Sequence, residues 1–221
     1  MELYEVMRTT FAAREFTDQP VSDGTIAKIL EEARFAPSGG NRQGWKVLVV
    51  REDSSRAVLR ELIAPQMQRY VAQVKAGEAP LNTIHTSRVS DEEVAAIQVP
   101  ERMLDNLTGA PVLLLVFVDL SVVASFDRHL DRVGVISGAS IYPFVWNILL
   151  AARHEGLGGT LTTFAAGAET DVKAHFGVPD EMALAAMIPM GQPVKQLTKL
   201  TRKPVADFVR KEHWHGETLI E

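Results

Sequence analysis

The stretch Pro111–Val118, PVLLLVFV, constrains this chain more than any other, because it is the longest purely apolar run in the sequence. Val112–Val118 shows no polar alternation, the pattern of a strand buried on both faces. Such a strand needs packed layers around it. The run is far shorter than the about 20 residues that cross a bilayer, so it reads as a core strand and not as a membrane span.

Two further stretches read as strands: Trp45–Val50, WKVLVV, apolar and β-branched enough to be buried, and Ala183–Met190, which ends at Gly191. Leu157–Thr163 is Gly-rich, then Thr-rich, and reads as a turn entering a strand. Helical spacing marks Glu2–Thr10 through Leu3, Val6 and Met7. A second helix follows Ser22 as N-cap, with Ile26, Ile29, Leu30 and Ala33 on one face and an end before Pro37. Ser54–Val74 reads as one or two helices broken near Pro65, and Asp91–Leu107 as helical with a break at Pro100. Lys75–Ser90 has few apolar residues and reads as a mobile excursion. Val133–Glu155 reads as a long helix, apolar on most faces and so buried in the core or in a subunit interface. Thr170–Phe176 is a short helix, and the tail Lys195–Glu221 begins basic and then turns amphipathic. This mixed order suits an α+β fold, with helices packed on one central sheet, in a single domain over 1–221. Residues 53–107 form a lid or excursion within it.

Composition narrows the function. Hydrophobic residues make up 46% of the 221, ample for a core, and 23 Lys and Arg against 28 Asp and Glu give a net charge of −5. A mildly acidic chain without a basic run argues against nucleic acid as a partner. The absence of cysteine removes disulfides, thiol nucleophiles, Cys-based zinc sites and iron–sulfur clusters. MELYEVMRTT lacks the apolar core of a signal peptide, so the expectation is a soluble, cytoplasmic protein without a membrane partner. There is no P-loop and no G-x-S-x-G elbow. Gly156, Gly158 and Gly159 resemble part of a dinucleotide turn, but Leu161 stands where the third glycine would be. His213 and His215, the only close histidine pair, read as a solvated tail or a weak metal pair, and no metal site is expected.

Three segments carry polar groups that packing alone does not demand. Arg14, in RTTFAAREF, is a solvated side chain or an anion ligand. In APSGGNRQGW, Ala36–Trp45, small residues allow close backbone approach to a planar ligand, and Asn41 and Gln43 both donate and accept hydrogen bonds. As a helix-to-strand loop it is as readily structural as functional. The third segment is GLGGTLTTF, Gly156–Phe164, followed much later by LTRKP, where Arg202 and Lys203 clamp an anion or are simply solvated.

In this order the segments resemble the FMN-dependent nitroreductase family. The resemblance rests on Arg14-Glu15-Phe16, on A-P-S-G-x-N-x-Q at Ala36–Gln43 before Trp45, on N-x-L-L-A-A at Asn147–Ala152, on the G-L-G turn Gly156–Gly158, and on Arg202-Lys203-Pro204. It covers nearly the whole chain outside 53–107. It implies a mostly antiparallel sheet flanked by helices and an intertwined homodimer with FMN at its interface. It further implies that Arg14 and Arg202, helped by Lys203, hold the FMN phosphate. Pro37, Ser38, Gly39 and Asn41 would border the flavin and its ribityl chain, and Leu161, Thr162 and Thr163 would pass its N5 edge. The implied reaction takes hydride from NADH or NADPH and reduces a small organic acceptor, nitroaromatic or quinone-like, by ping-pong without a catalytic protein nucleophile. Two alternatives stay open: a flavin-binding protein without turnover, and another flavin reaction such as dehalogenation or ene reduction on the same scaffold. The chain departs from the family at Thr10, Phe11 and Ala12, where further arginines or a serine are usual. It departs again at Gly44, which replaces a proline and is expected to loosen the loop. Tyr70, Lys75, His85, Arg88 and Arg102 read as substrate contacts or as a solvated cover.

Overall fold

In the computed structural model, which describes residues 1–220, the apolar run becomes the centre of a four-stranded antiparallel sheet. The strands are β1 (Trp45–Val49), β2 (Val112–Asp119), β3 (Gly158–Gly159) and β4 (Met182–Gly191), in the order β1-β2-β4-β3. Glu221, the last residue of the tail read from sequence, lies outside the described residues.

Alternation along β2 sorts its side chains into two layers. Val112, Leu114, Val116 and Val118 join one cluster with helices α2 (Asp23–Ala33) and α6 (Tyr142–His154). Leu113, Leu115 and Phe117 join a second cluster, with α3 (Asp53–Lys75), α5 (Glu101–Thr108) and α7 (Glu169–Phe176). Strand β4 serves both layers through a bulge: Val116 pairs with Ala186 and Phe117 with Leu184, so Ala185 is the extra residue. Past it the parity of the strand reverses, and Leu184 and Met187 share one layer while Ala186 and Ile188 share the other.

Local chemistry explains the helix ends. Helix α1 spans Leu3–Thr9, and in α2 the Ser22 hydroxyl accepts from the Thr25 amide at 3.1 Å, the N-cap expected from sequence. Helix α3 runs through Pro65 without a break. A mid-helix proline costs about 3 kcal/mol, and the complete burial of Leu59 and Ile63, with Met67 at 1% exposure, offsets it. Arg56 on the same helix donates to the carbonyls of Thr108 and Ala110, each at 2.7 Å, and of Val50 at 3.0 Å, tying α3 to the end of α5 and to the residue that follows β1.

Two expectations are corrected. Trp45–Val49 is an edge strand, half-buried and not buried, with Val49 40% exposed, because only β2 flanks it. Helix α6 begins at Tyr142, with Pro143 in its first turn, and not at Val133. The preceding residues instead wrap Asp127, a buried carboxylate that accepts from Ser125, Arg132 and the Val135 amide at 2.8, 2.7 and 2.7 Å. The Val135 amide, then Arg132, hold this carboxyl well below the usual range against the opposing effect of burial. Residues 76–90 have neither helix nor strand and carry internal bonds: Glu78 accepts from Ser87 and the Arg88 amide, and Gln73 accepts from the Leu81 amide. Helix α4 (Asp91–Ala95) then starts with a capping box at Ser90 and Glu93. Within 53–107, Leu59, Ile63, Met67, Leu104 and Leu107 belong to the core. Among the described residues, no helix is long and apolar enough to cross a membrane.

Candidate functional site

The N-terminal turn is fastened to the glycine edge of the sheet. Ala12 forms a parallel bridge with Gly159, and the Ala13 amide donates to the Gly159 carbonyl at 3.1 Å. Gly158 is required there: a Cβ on it would come within 2.7 Å of Pro193 and 3.0 Å of Ala13 Cβ. Farther on, Thr17 donates to the Gln192 carbonyl, and the Val194 amide donates to the Glu15 carbonyl. Ala13 is buried by this docking and Arg14 is left exposed. Thr10 is buried with its hydroxyl on the Val6 carbonyl, and Ala12 forms the bridge. Burial accounts for Thr10, whereas Ala12 is exposed and enters the bridge through its backbone alone.

Beyond β3 the chain pairs with β4 at alternate residues. The Thr160 amide donates to Pro189, and Thr162 and Met187 exchange two bonds at 3.0 and 2.9 Å. The amides of Leu161 and Thr163 consequently have no backbone partner among the described residues. A cavity of about 400 Å³ opens on this edge, lined by Arg14 and by Thr160, Leu161, Thr162 and Thr163. Helix α3 supplies Gln66 and Tyr70 opposite, and Pro80, Leu81, Leu107, Phe164 and Gly167 complete the walls. Arg14 makes one long bond, to the Ala12 carbonyl at 3.2 Å. Its remaining guanidinium donors are open to an anion.

Four sequence-derived candidates thus converge: Arg14, Leu161, Thr162 and Thr163. The others do not join them in one chain. Pro37, Ser38, Gly39 and Asn41 do not line this cavity. They sit on a turn held from behind, where the Ser38 hydroxyl accepts from the Gln43 amide at 2.9 Å and the Gly39 amide donates to Ser140 at 3.1 Å. Asn41 and Gln43 both take positive φ, 53° and 52°. Such backbone is uncommon without glycine and clusters at functional sites. At Gly44 a Cβ would meet Val122 at 2.6 Å, so a tight contact explains the glycine. Arg202 and Lys203 are exposed on the tail, away from the cavity lining, with Arg202 bonded to the Thr201 carbonyl. Of the residues named in the 53–107 segment, Tyr70 lines the cavity, whereas Arg102 pairs with Glu15 and Arg88 with Glu78. Gln66 escaped sequence reasoning, because a neutral amide on a polar helix gives no signal. The i, i+4 spacing from Tyr70 was the available clue.

The Nitroreductase family matches residues 7–192. Iodotyrosine dehalogenase 1 homolog of Caenorhabditis elegans is 27% identical over 210 residues, covering 94% of this chain, and the chain spans 60% of that protein's length. NADH dehydrogenase of Thermus thermophilus is 27% identical over 196 residues, 89% of either chain. Among solved structures, oxidized iodotyrosine deiodinase bound to FMN and 3-iodo-L-tyrosine superposes with a TM-score of 0.68 at 22% identity, covering 96% of this chain and 100% of the other.

Proposed function

The chain belongs to the Nitroreductase family, and we propose that it is an FMN-dependent oxidoreductase that takes hydride from NADH or NADPH and reduces a small organic acceptor, nitroaromatic or quinone-like, in the same cavity. The observation that carries this reading is the shared rim of the cavity: an Arg14 guanidinium with open donors beside the unpartnered amides of Leu161 and Thr163. A phosphate and a ring edge that accepts hydrogen bonds fit that donor set, and uncharged walls suit a flat aromatic system. FMN, when bound, supplies the redox chemistry, accepting a hydride equivalent and passing it on.

The residues of this chain have the remaining tasks. Arg14 binds the phosphate, aided by Arg202 and Lys203 of the tail. Leu161 and Thr163 present N–H donors, and Thr162 and Thr163 hydroxyls, to the ring edge. Tyr70, Pro80, Leu81, Leu107 and Phe164 cover the acceptor and exclude water, the lid role for the 53–107 segment. Pro37, Ser38, Gly39 and Asn41 border the ring from a second copy of the chain, since they lie off the cavity of their own chain. Here an intertwined homodimer completes the site, and the cytoplasm, where reduced nicotinamides circulate, is its compartment. No protein nucleophile and no metal is needed.

A second reading, reductive dehalogenation, is favoured by relatives named iodotyrosine dehalogenase 1 homolog and iodotyrosine deiodinase. The test is absorbance of the purified protein before and after addition of FMN and desalting, then anaerobic NADH or NADPH. The reading expects about one flavin per chain, bleached within seconds. A chain that retains no flavin overturns the cofactor assignment. Retained flavin that stays yellow under both donors sinks the NAD(P)H half and leaves a binding protein or the dehalogenase reading.

A further inference from the structure

We propose, building on the reading above, that Gln66 makes the acceptor end of the cavity selective for uncharged aromatic compounds over aromatic amino acids. Gln66 and Tyr70 lie one turn apart on α3 and face the 160–167 segment across the cavity. Gln66 Nε2 donates to the Gly167 carbonyl at 3.2 Å. The amide also occupies the volume a side chain at 167 would need, since a Cβ there would come within 2.5 Å of Gln66 Oε1. The bare glycine and the amide are one fitted pair. Beside them Tyr70 meets Phe164 edge to face, with ring centroids 5.4 Å apart. A glutamate at 66 would have no proton to give the Gly167 carbonyl, so oxygen would face oxygen. This wall is built around a neutral amide.

The charge balance of the cavity follows from the same residues. Among the described residues, Arg14 is the only charged side chain in its lining, and it is a cation. Its neighbour Glu15 is already paired with Arg102. An α-ammonium entering this space meets no side-chain carboxylate and loses its hydration without compensation, while the α-carboxylate beside it has Arg14 as its one charged partner in the lining. An uncharged ring keeps the apolar contact of Leu107 and Phe164 and gains the Gln66 amide and the Tyr70 hydroxyl as hydrogen-bonding partners. An amino acid such as the 3-iodo-L-tyrosine of the similar solved structure is therefore disfavoured here.

Titration of the FMN-loaded protein at pH 7 with 3-iodo-L-tyrosine and with 2-iodo-4-methylphenol compares one ring with and without the zwitterion. Flavin fluorescence and ligand-observed NMR both report binding, and neither needs turnover. The expected result is binding of the phenol at least about tenfold tighter than that of the amino acid, the scale of one unpaired buried charge. Gln66→Glu is expected to shrink or invert that ratio, whereas Gln66→Ala is expected to weaken the phenol without improving the amino acid. Equal or tighter binding of 3-iodo-L-tyrosine by the unaltered protein overturns the proposal. An unchanged ratio in Gln66→Glu, with that variant folded by circular dichroism, or no binding of either compound at millimolar concentration, overturns it too. Loss of flavin on desalting is a separate result: it defeats the cofactor reading, and the NMR titration of the chain alone still decides the selectivity.

Discussion

The two glycine-bearing loops that stand out in the sequence, 36–45 and 156–164, are furnished very differently by the fold. The second is closed in by its own chain: α3 faces it, the Ala12 bridge sets Arg14 beside it, and the cavity lies between. The first is braced from behind by Gln43 and Ser140, while Pro37, Gly39 and Asn41 stay exposed on its outer side. The α6 helix behind it leaves Tyr142 and Trp146 more than 40% exposed as well. One loop is half of a site with its walls supplied. The other has a fixed, strained shape and a bare outer face, which is how a surface shaped by a second molecule looks. The difference teaches that a motif matching a family from end to end need not form one site within one chain.

The sharpest ways to break this comparison begin with the layers behind the loops. Phe117→Ala, on the α3 side of β2, is expected to destabilise the protein by about 3–5 kcal/mol, and Leu114→Ala, on the α6 side, by about 2–5 kcal/mol. Urea unfolding measures both. A loss under 1 kcal/mol for either would mean that its layer is not the tightly packed core described above. Arg56→Ala should cost about 2–3 kcal/mol, because a guanidinium serving three carbonyls is lost. Arg69→Ala, at an exposed ion pair with Asp91, should cost under about 1 kcal/mol.

Next come the loops themselves. Arg14→Ala is expected to weaken FMN binding by about 10- to 100-fold, matching about 1.5–3 kcal/mol for a charged hydrogen bond. Arg202→Ala should weaken it less, as Arg202 lies on the exposed tail. Fluorescence titration of the apoprotein gives both constants, and the reverse order would move the phosphate site to the tail. If 37–41 serves a second copy, Asn41→Ala and Arg14→Ala chains mixed by unfolding and refolding should regain flavin at a fraction of the sites. No recovery would return the loop to its own chain or to solvent.

The smallest effect concerns acid. The folded-state carboxyl of Asp127 titrates below its unfolded value. The stability it contributes is therefore present above the ordinary carboxylate range near pH 4 and is lost as pH falls through that range toward the depressed folded value. Asp127→Asn should flatten the fall in urea midpoint between pH 5 and 3. An unaltered slope would show that Asp127 does not carry this dependence.

Much of the core was legible because it obeys simple periodicity: the β2 run, the Ser22 cap and the apolar face of α2 all fold as their patterns require. Pro65 misled because burial of Leu59, Ile63 and Met67 outweighs a local helix breaker. The start of α6 misled because Val133 and Val135 look helical, while a single carboxylate, Asp127, organises their backbone otherwise. In the candidate site, Arg14 and 161–163 were legible through their motifs. Gln66 was not, since its role comes from facing Gly167, a partner far away in sequence.

The parallel bridge between Ala12 and Gly159 also has a consequence in time. The rim of the cavity exists only once the start of the chain has found a strand made much later, and contacts between distant parts of a chain form slowly because loop closure must come first. The sheet and its two helical layers can be in place while the rim of the cavity is still open. Recovery of flavin binding during refolding should therefore lag behind recovery of secondary structure, and trimming the first residues should spare the core while erasing the rim.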